Sequence, residues 1–144
     1  MKNILFDTNI ILDIALKREL FYEEAFQLFQ LIETGEIIWN VTACTITDIY
    51  YISKKNNGHE QSIGFIKQLV EMVEILGVDK SIIINALTTH MSDFEDAIQN
   101  SSAEMNGIDL ILTRNKKDFK NSTVKILTPL EFLETQKWQL FYKV

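Results

Sequence analysis

A single cysteine, Cys44, stands in the 144-residue chain, so no intrachain disulfide can staple the fold. The expected compartment is a reducing cytoplasm. Proline occurs once and glycine five times, too few for a disordered, proline-rich chain or for a glycine-rich phosphate loop. The two histidines, His59 and His90, lie far apart and in no ligand spacing. No run of about 18 apolar residues occurs, so no transmembrane helix is expected. The apolar start is broken at once by Asp7, and no signal peptide is expected there. Positive charge is scarce: the formal net charge is −6, whereas nucleic-acid-binding domains are usually basic. Acids committed to holding cations would produce the same deficit.

What the chain does have is apolar surface, 47% of its residues, enough for the core of one domain spanning residues 1–144. Strand-like and helix-like segments alternate along it. Asn3–Asp7, Glu36–Val41, Val73–Leu76, Asp109–Leu112 and Val124–Leu127 read as short buried strands. Asn9–Lys17, Tyr22–Glu33, Thr45–Lys55, Glu60–Glu71, Ile82–His90 and Asp93–Met105 read as helices, and Thr128-Pro129 opens a last one. In Tyr22–Glu33 the residues Ala25, Leu28, Phe29 and Ile32 fall at helical spacing, and Gly35 is a plausible stop. Thr45 or Thr42, Asp79 or Ser81, and Ser92 are candidate caps; Asn56-Asn57-Gly58 is a turn signal. Short apolar strands alternating with helices predict an α/β domain, a three-layer α/β/α stack around a parallel sheet of four or five strands. Function in such sheets gathers at the carboxyl ends of the strands.

Acids stand at those ends. Asp7 follows the first strand directly, where an aspartate serves either as a helix cap or as a site acid. Asp48 lies in the helix after the second strand, either as a dipole-favoured acid or as a functional one. Asp96 lies at the start of the helix before the fourth strand, beside the small and polar Ala97, Asn100 and Ala103, while Asp93 and Glu95 are expected to face solvent. After the fourth strand come Thr113, Arg114, Asn115 and Asp118. The cluster Arg114, Lys116, Lys117, Lys120 and Lys125 against Asp118 gives a local balance of +4, either a solvated loop or a rail for a phosphodiester backbone. Three carboxylates packed together repel, and their pKa values rise unless a cation neutralises them. Oxygen-only ligands favour Mg²⁺ or Mn²⁺ over Zn²⁺. Such an ion polarises a phosphoryl oxygen and acidifies a bound water, which is the equipment of phosphodiester hydrolysis. A receiver-like phosphoacceptor domain would also cluster aspartates. It would need one after the third strand and a lysine after the fifth, where this chain has Leu76-Gly77 and Thr128-Pro129.

The segments LFDTNIILD, TACTITDIYYI, DFEDAIQNSSAEMNGIDLILTRNKKDF and VKILTPLEFL, from about Asn3 to Leu133, resemble the PIN domain in order and spacing, and within it the toxin nucleases of type II toxin–antitoxin pairs (VapC-like). The resemblance implies strand order 3-2-1-4-5 and a Mg²⁺- or Mn²⁺-dependent ribonuclease. It implies a homodimer and a cognate antitoxin, with no membrane association. It puts metal on Asp7 and Asp96. Asp48 stands where the family usually has glutamate, one methylene longer, so it is expected to act through water. Asn115 matches the fourth, usually acidic or polar, catalytic position, with Asp118 as a nearby auxiliary acid. Asn9 resembles the family's substrate-orienting asparagine, and Thr113, Arg114, Lys116 and Lys117 are expected to meet substrate. A catalytically degenerate PIN module that binds RNA or a protein without cutting is the alternative.

Overall fold

In the computed structural model, which describes residues 2–142 with side chains through Lys137, five parallel strands line up in the order β3-β2-β1-β4-β5. They are β1 (Lys2–Phe6), β2 (Ile37–Thr42), β3 (Glu74–Leu76), β4 (Leu110–Leu112) and β5 (Lys125–Leu127). The helices are α1 (Thr8–Ala15), α2 (Tyr22–Glu33), α3 (Ala43–Met72), α4 (Lys80–Leu87), α5 (Phe94–Met105) and α6 (Pro129–Tyr142), with a 3₁₀ turn at Lys116–Phe119. The expected strand order and three-layer stack are both present.

The central strand is buried on both faces, as a parallel sheet requires. Ile4 and Phe6 face one core with Trp39, Val41, Leu110 and Leu112, which α1, α2, α3 and α6 cover. Leu5 and Ile111 face the other, closed by Ala103 of α5 and Phe119 of the 3₁₀ turn. Trp39 anchors the first core, its ring centroid 5.0 Å from Phe6 and 4.4 Å from Phe29. It is 1% exposed and contributes nothing to the surface. Phe26 remains exposed, while the side chains of Trp138, Phe141 and Tyr142 lie outside the described residues.

Local signals explain most element ends. Thr42 caps α3 by accepting from the Thr45 amide, and Asp79 caps α4 by accepting from Ile82. Asp93, rather than Ser92, caps α5 through the Asp96 amide; a carboxylate accepts that bond with a full charge. Gly35, at φ +78°, ends α2. The Asn56-Asn57-Gly58 turn signal became a kink: two helical arms of α3 meet at Gly58, φ 81° and ψ 172°. α4 stops at Leu87, three residues short of the expected His90. No helix among the described residues is long and apolar enough to cross a membrane.

Candidate active site

Phe6 of β1 and Leu112 of β4 are partners in register. The next residues, Asp7 and Thr113, therefore leave the carboxyl edge of the sheet side by side. The Asp7 amide donates to the Leu112 carbonyl at 2.9 Å, and the Thr113 hydroxyl donates to Asp7 Oδ2 at 2.7 Å. From α5 the Gln99 amide donates to Asp7 Oδ1 at 2.9 Å. Asp7 precedes α1 in the cap position but makes no side-chain cap bond. Of its two sequence readings, the helix cap is therefore set aside: its carboxylate, 6% exposed, is held by donors from two other elements.

Asp48 lies in the second turn of α3, past the reach of a first-turn dipole effect. Asp96 sits in the first turn of α5. Asp7, Asn9, Asp48, Asp96, Asn115 and Asp118 all line one cleft of about 290 Å³, with Asp93 and Glu95 at its rim. Both rim acids are exposed, as expected, yet they belong to the cleft. The crowding has an electrostatic signature. Burial, then the charges of Asp7, Asp93, Asp118 and Glu95, push the Asp96 carboxyl up to about 7. Asp48 raises the Glu95 carboxyl, with burial adding to it, and burial raises Asp48 itself.

The remaining residues expected at the site are placed differently. Thr113 is fully buried behind Asp7 and also accepts from the Asn115 amide at 3.1 Å, so it positions the acid and the loop. Arg114 is not among the residues lining the cleft. Its Nε lies 2.9 Å from Asp13 Oδ2, and its guanidinium stacks 3.8 Å from the Phe21 ring centroid. Lys116 pairs with Glu131 at 3.2 Å on the surface. Lys117 is exposed.

Two positions that hold the cleft residues escaped the sequence reading. Gln99 is one; a polar residue one turn after Asp96 was its only signal. Asp13 is the other. It is 2% exposed between Arg18 at 3.3 Å and Arg114 at 2.9 Å, and burial raises its pKa against the pull of both arginines. Arg18 also donates to Asn9 Oδ1 at 3.2 Å, so the network orients the asparagine at the cleft. An acid inside the apolar run of α1 was the sign.

Every candidate ligand in the cleft is an oxygen donor, the set a hard cation prefers. Among the described residues no three of His, Cys, Asp or Glu converge tightly enough to enclose an ion. The cleft therefore fits an ion held by one or two carboxylates and completed by water or substrate oxygens, the usual manner for Mg²⁺, rather than a closed cage.

A carboxylate-lined cleft at the carboxyl edge of a 3-2-1-4-5 parallel sheet defines an α/β domain with a candidate hard-cation site. The family is specific: residues 3–117 match the PIN domain, and the chain belongs to that family. It is 27% identical over 138 residues to Ribonuclease VapC1 of Aquifex aeolicus (strain VF5), covering 92% of this chain and 94% of the relative. Its fold is similar to that of a chain in the crystal structure of VapBC2 from Rickettsia felis bound to a DNA fragment from their promoter. There the TM-score is 0.68 at 15% identity, over 88% of this chain and 98% of that one. It is also similar to Mycobacterium tuberculosis VapC20, described as a sarcin-ricin loop cleaving toxin. That match has a TM-score of 0.61 at 15% identity, over 75% of this chain and 86% of the other.

Proposed function

We propose that this protein is a Mg²⁺- or Mn²⁺-dependent endoribonuclease acting in the cytoplasm as the toxin of a type II toxin–antitoxin pair, with a homodimer as its working form. The observation that carries the reading is the single cleft gathering Asp7, Asp48, Asp96 and Asp118 from four separate segments, in a chain similar along nearly its whole length to a protein named as a ribonuclease. The antitoxin partner is inferred from the VapBC complex among the similar structures.

Asp7 and Asp96 would hold the ion, with Asp48 acting through water. The ion, when bound, supplies Lewis-acid polarisation of the phosphoryl oxygen and a more acidic attacking water. The chain's own residues do the rest. Thr113 and Gln99 fix the Asp7 carboxylate so that it does not turn away from the cleft. Asn9, with Oδ1 committed to Arg18, offers its Nδ2 amide to a phosphate oxygen. Asn115 extends the same rim with a neutral amide. Asp118, whose charge acts on Asp96, is the nearest carboxylate on the 3₁₀ turn and takes the auxiliary acidic role. Lys117, exposed and next in sequence to the cleft residue Asp118, would meet the phosphodiester backbone.

The test is cleavage of single-stranded RNA with Mg²⁺ or Mn²⁺, with EDTA, and with the variants Asp7→Asn and Asp96→Asn. Activity should require the metal and vanish in both variants while the circular dichroism spectrum is kept. Full activity in either variant removes these acids from the mechanism. The non-cutting PIN module is favoured by one observation, the neutral, exposed Asn115 in a cleft without a closed cage. Asp48→Glu with Asn115→Asp separates the two readings: a nuclease gains activity or metal affinity, whereas a binding module inert under all metals gains nothing.

A further inference from the structure

A second cavity, of about 390 Å³, opens beside the acidic cleft, between α3, α4 and α5. The two share Thr8, Asp48, Glu95 and Gln99 as a common wall, so they form one trough with an acidic half and an apolar half. Phe94, Ile83, Val78 and Ile98 line the apolar half. Two of these are exposed although large and apolar, Phe94 at 51% and Ile83 at 38%. Resting on the nuclease reading above, we propose that the apolar half is a nucleobase pocket. It takes one unstacked base of the RNA strand whose phosphodiester lies in the acidic half, and it favours bases bearing amino donors over uracil.

Three features of the lining lead to that occupant. The first is size: small-ligand pockets span about 300–1,000 Å³, and this one stands at the lower end, where a single flat ring belongs. The second is Phe94, an exposed ring at the mouth of α5 two residues from Asp96. Single-stranded RNA is bound by splaying bases out onto such rings. The third is the pattern of acceptors. No lysine or arginine lines the pocket, so a phosphate has no counter-charge there. The Thr8, Thr45 and Thr42 hydroxyls are joined in a chain at 3.1 and 3.2 Å, and Thr47 donates to the Cys44 carbonyl. Gln99 turns an amide hydrogen toward Asp7, and its Oε1 has no partner among the described residues. Acceptors therefore predominate at the seam, chiefly Gln99 Oε1 and the Asp48 and Glu95 carboxylates. Guanine, adenine and cytosine present exocyclic amino groups to such acceptors, whereas uracil offers only its ring N3–H.

The experiment uses a single-stranded RNA in which one nucleotide after another is replaced by an abasic residue. It is cut in Mg²⁺ by the wild type, Phe94→Leu and Phe94→Tyr. An abasic residue beside the cut bond should raise KM about tenfold for the wild type, the size of one lost base–aromatic stack. Uracil at that position should be the poorest of the four bases. Phe94→Leu should raise KM about as much and erase the abasic penalty, while Phe94→Tyr keeps both. A penalty that is absent, or unchanged in Phe94→Leu, overturns the pocket while leaving the nuclease reading intact. If the wild type cuts nothing, the nuclease reading fails. Fluorescence anisotropy with the same RNAs then decides the pocket: affinity that depends on the base and on Phe94 upholds it, and indifference to both overturns it. A Phe94→Leu protein that keeps its RNA affinity but loses its dimer marks a protein-facing surface and also overturns it. Should Phe94→Leu not fold, Ile83→Ala carries the same comparison.

Discussion

At the scale of the residue, the site rests on how one buried carboxylate is held. Asp7 receives a hydroxyl from Thr113 and an amide from Gln99, and each removal leaves an acceptor without its donor. Thr113→Val should cost about 1–3 kcal/mol of stability, read by urea unfolding, and should lower cleavage because Asp7 and Asn115 both lose their anchor; an unchanged midpoint would show the hydroxyl to be incidental. Asp96 gives a pH signature. Its carboxyl is raised from 3.8 to about 7, so the folded protein keeps a proton that the unfolded chain releases. Metal-free stability should therefore fall as pH rises from about 4 to about 7, and Asp96→Asn, which cannot titrate, should lose that part of the slope. Melting temperatures in EDTA across this range are the check. Asp7, Asp48 and Asp96 were legible because strand ends announce themselves: an apolar run stops at a charge. Gln99 and Asp13 were not, because their roles depend on partners 92 residues away for Gln99 and on an ion pair to the distant Arg114 for Asp13. No local pattern encodes such pairings.

At the scale of the element, the loop after β4 shows why a basic cluster in sequence is not a basic surface in space. Arg114 neutralises buried Asp13, Lys116 reaches Glu131, and Phe119, 2% exposed, pins the 3₁₀ turn to the core. Lys117→Ala should then reduce the salt dependence of RNA binding by about one phosphate contact, and Lys116→Ala by less; equal slopes would mean that the Glu131 pair opens for substrate. Gly58 governs α3 in a different way. Its φ of 81° and ψ of 172° lie in a region open essentially to glycine, and open space surrounds the position where a Cβ would stand. Gly58→Ala should cost roughly 1–3 kcal/mol through backbone strain alone, with no packing contribution; an unfolding midpoint equal to the wild type would mean the joint straightens freely. The strands and most helices were readable, since burial on both faces produces short apolar runs and Thr42 and Asp79 sit where caps belong. The joint at Gly58 read as a turn because a glycine signal marks a break in helical dihedrals but does not say whether the chain reverses or only bends.

At the scale of the whole molecule, the question is what covers the apolar surface left after folding. Trp39 is buried in the first core, and the partly buried Phe29 packs against it. Exposed apolar groups lie elsewhere, among them Leu20 and Phe26 around the start of α2, and Ile84 and Leu87 on α4, 52% and 66% exposed. Phe26 lines an open groove with Lys17, Glu19, Tyr22 and Glu23, a concave and charged surface unsuited to meeting its own copy. The second pair lies on α4, three residues apart and therefore on one face. A helix of that kind can pack against the same helix of a second molecule about a two-fold axis, residue for residue. Its partner surface need not include the mouth of the proposed base pocket, since Ile83 lines the cavity while Ile84 and Leu87 do not. A homodimer joined through α4 is thus the expected solution form, and light scattering at micromolar concentration should report twice the mass of the chain. Ile84→Lys with Leu87→Lys should return it to a monomer of unchanged circular dichroism, still able to bind the base that Phe94 receives. A wild type that is already monomeric sinks the dimer. A double variant that remains dimeric moves the interface to another face, and one that loses base-dependent binding shows that dimer and pocket are built from the same surface.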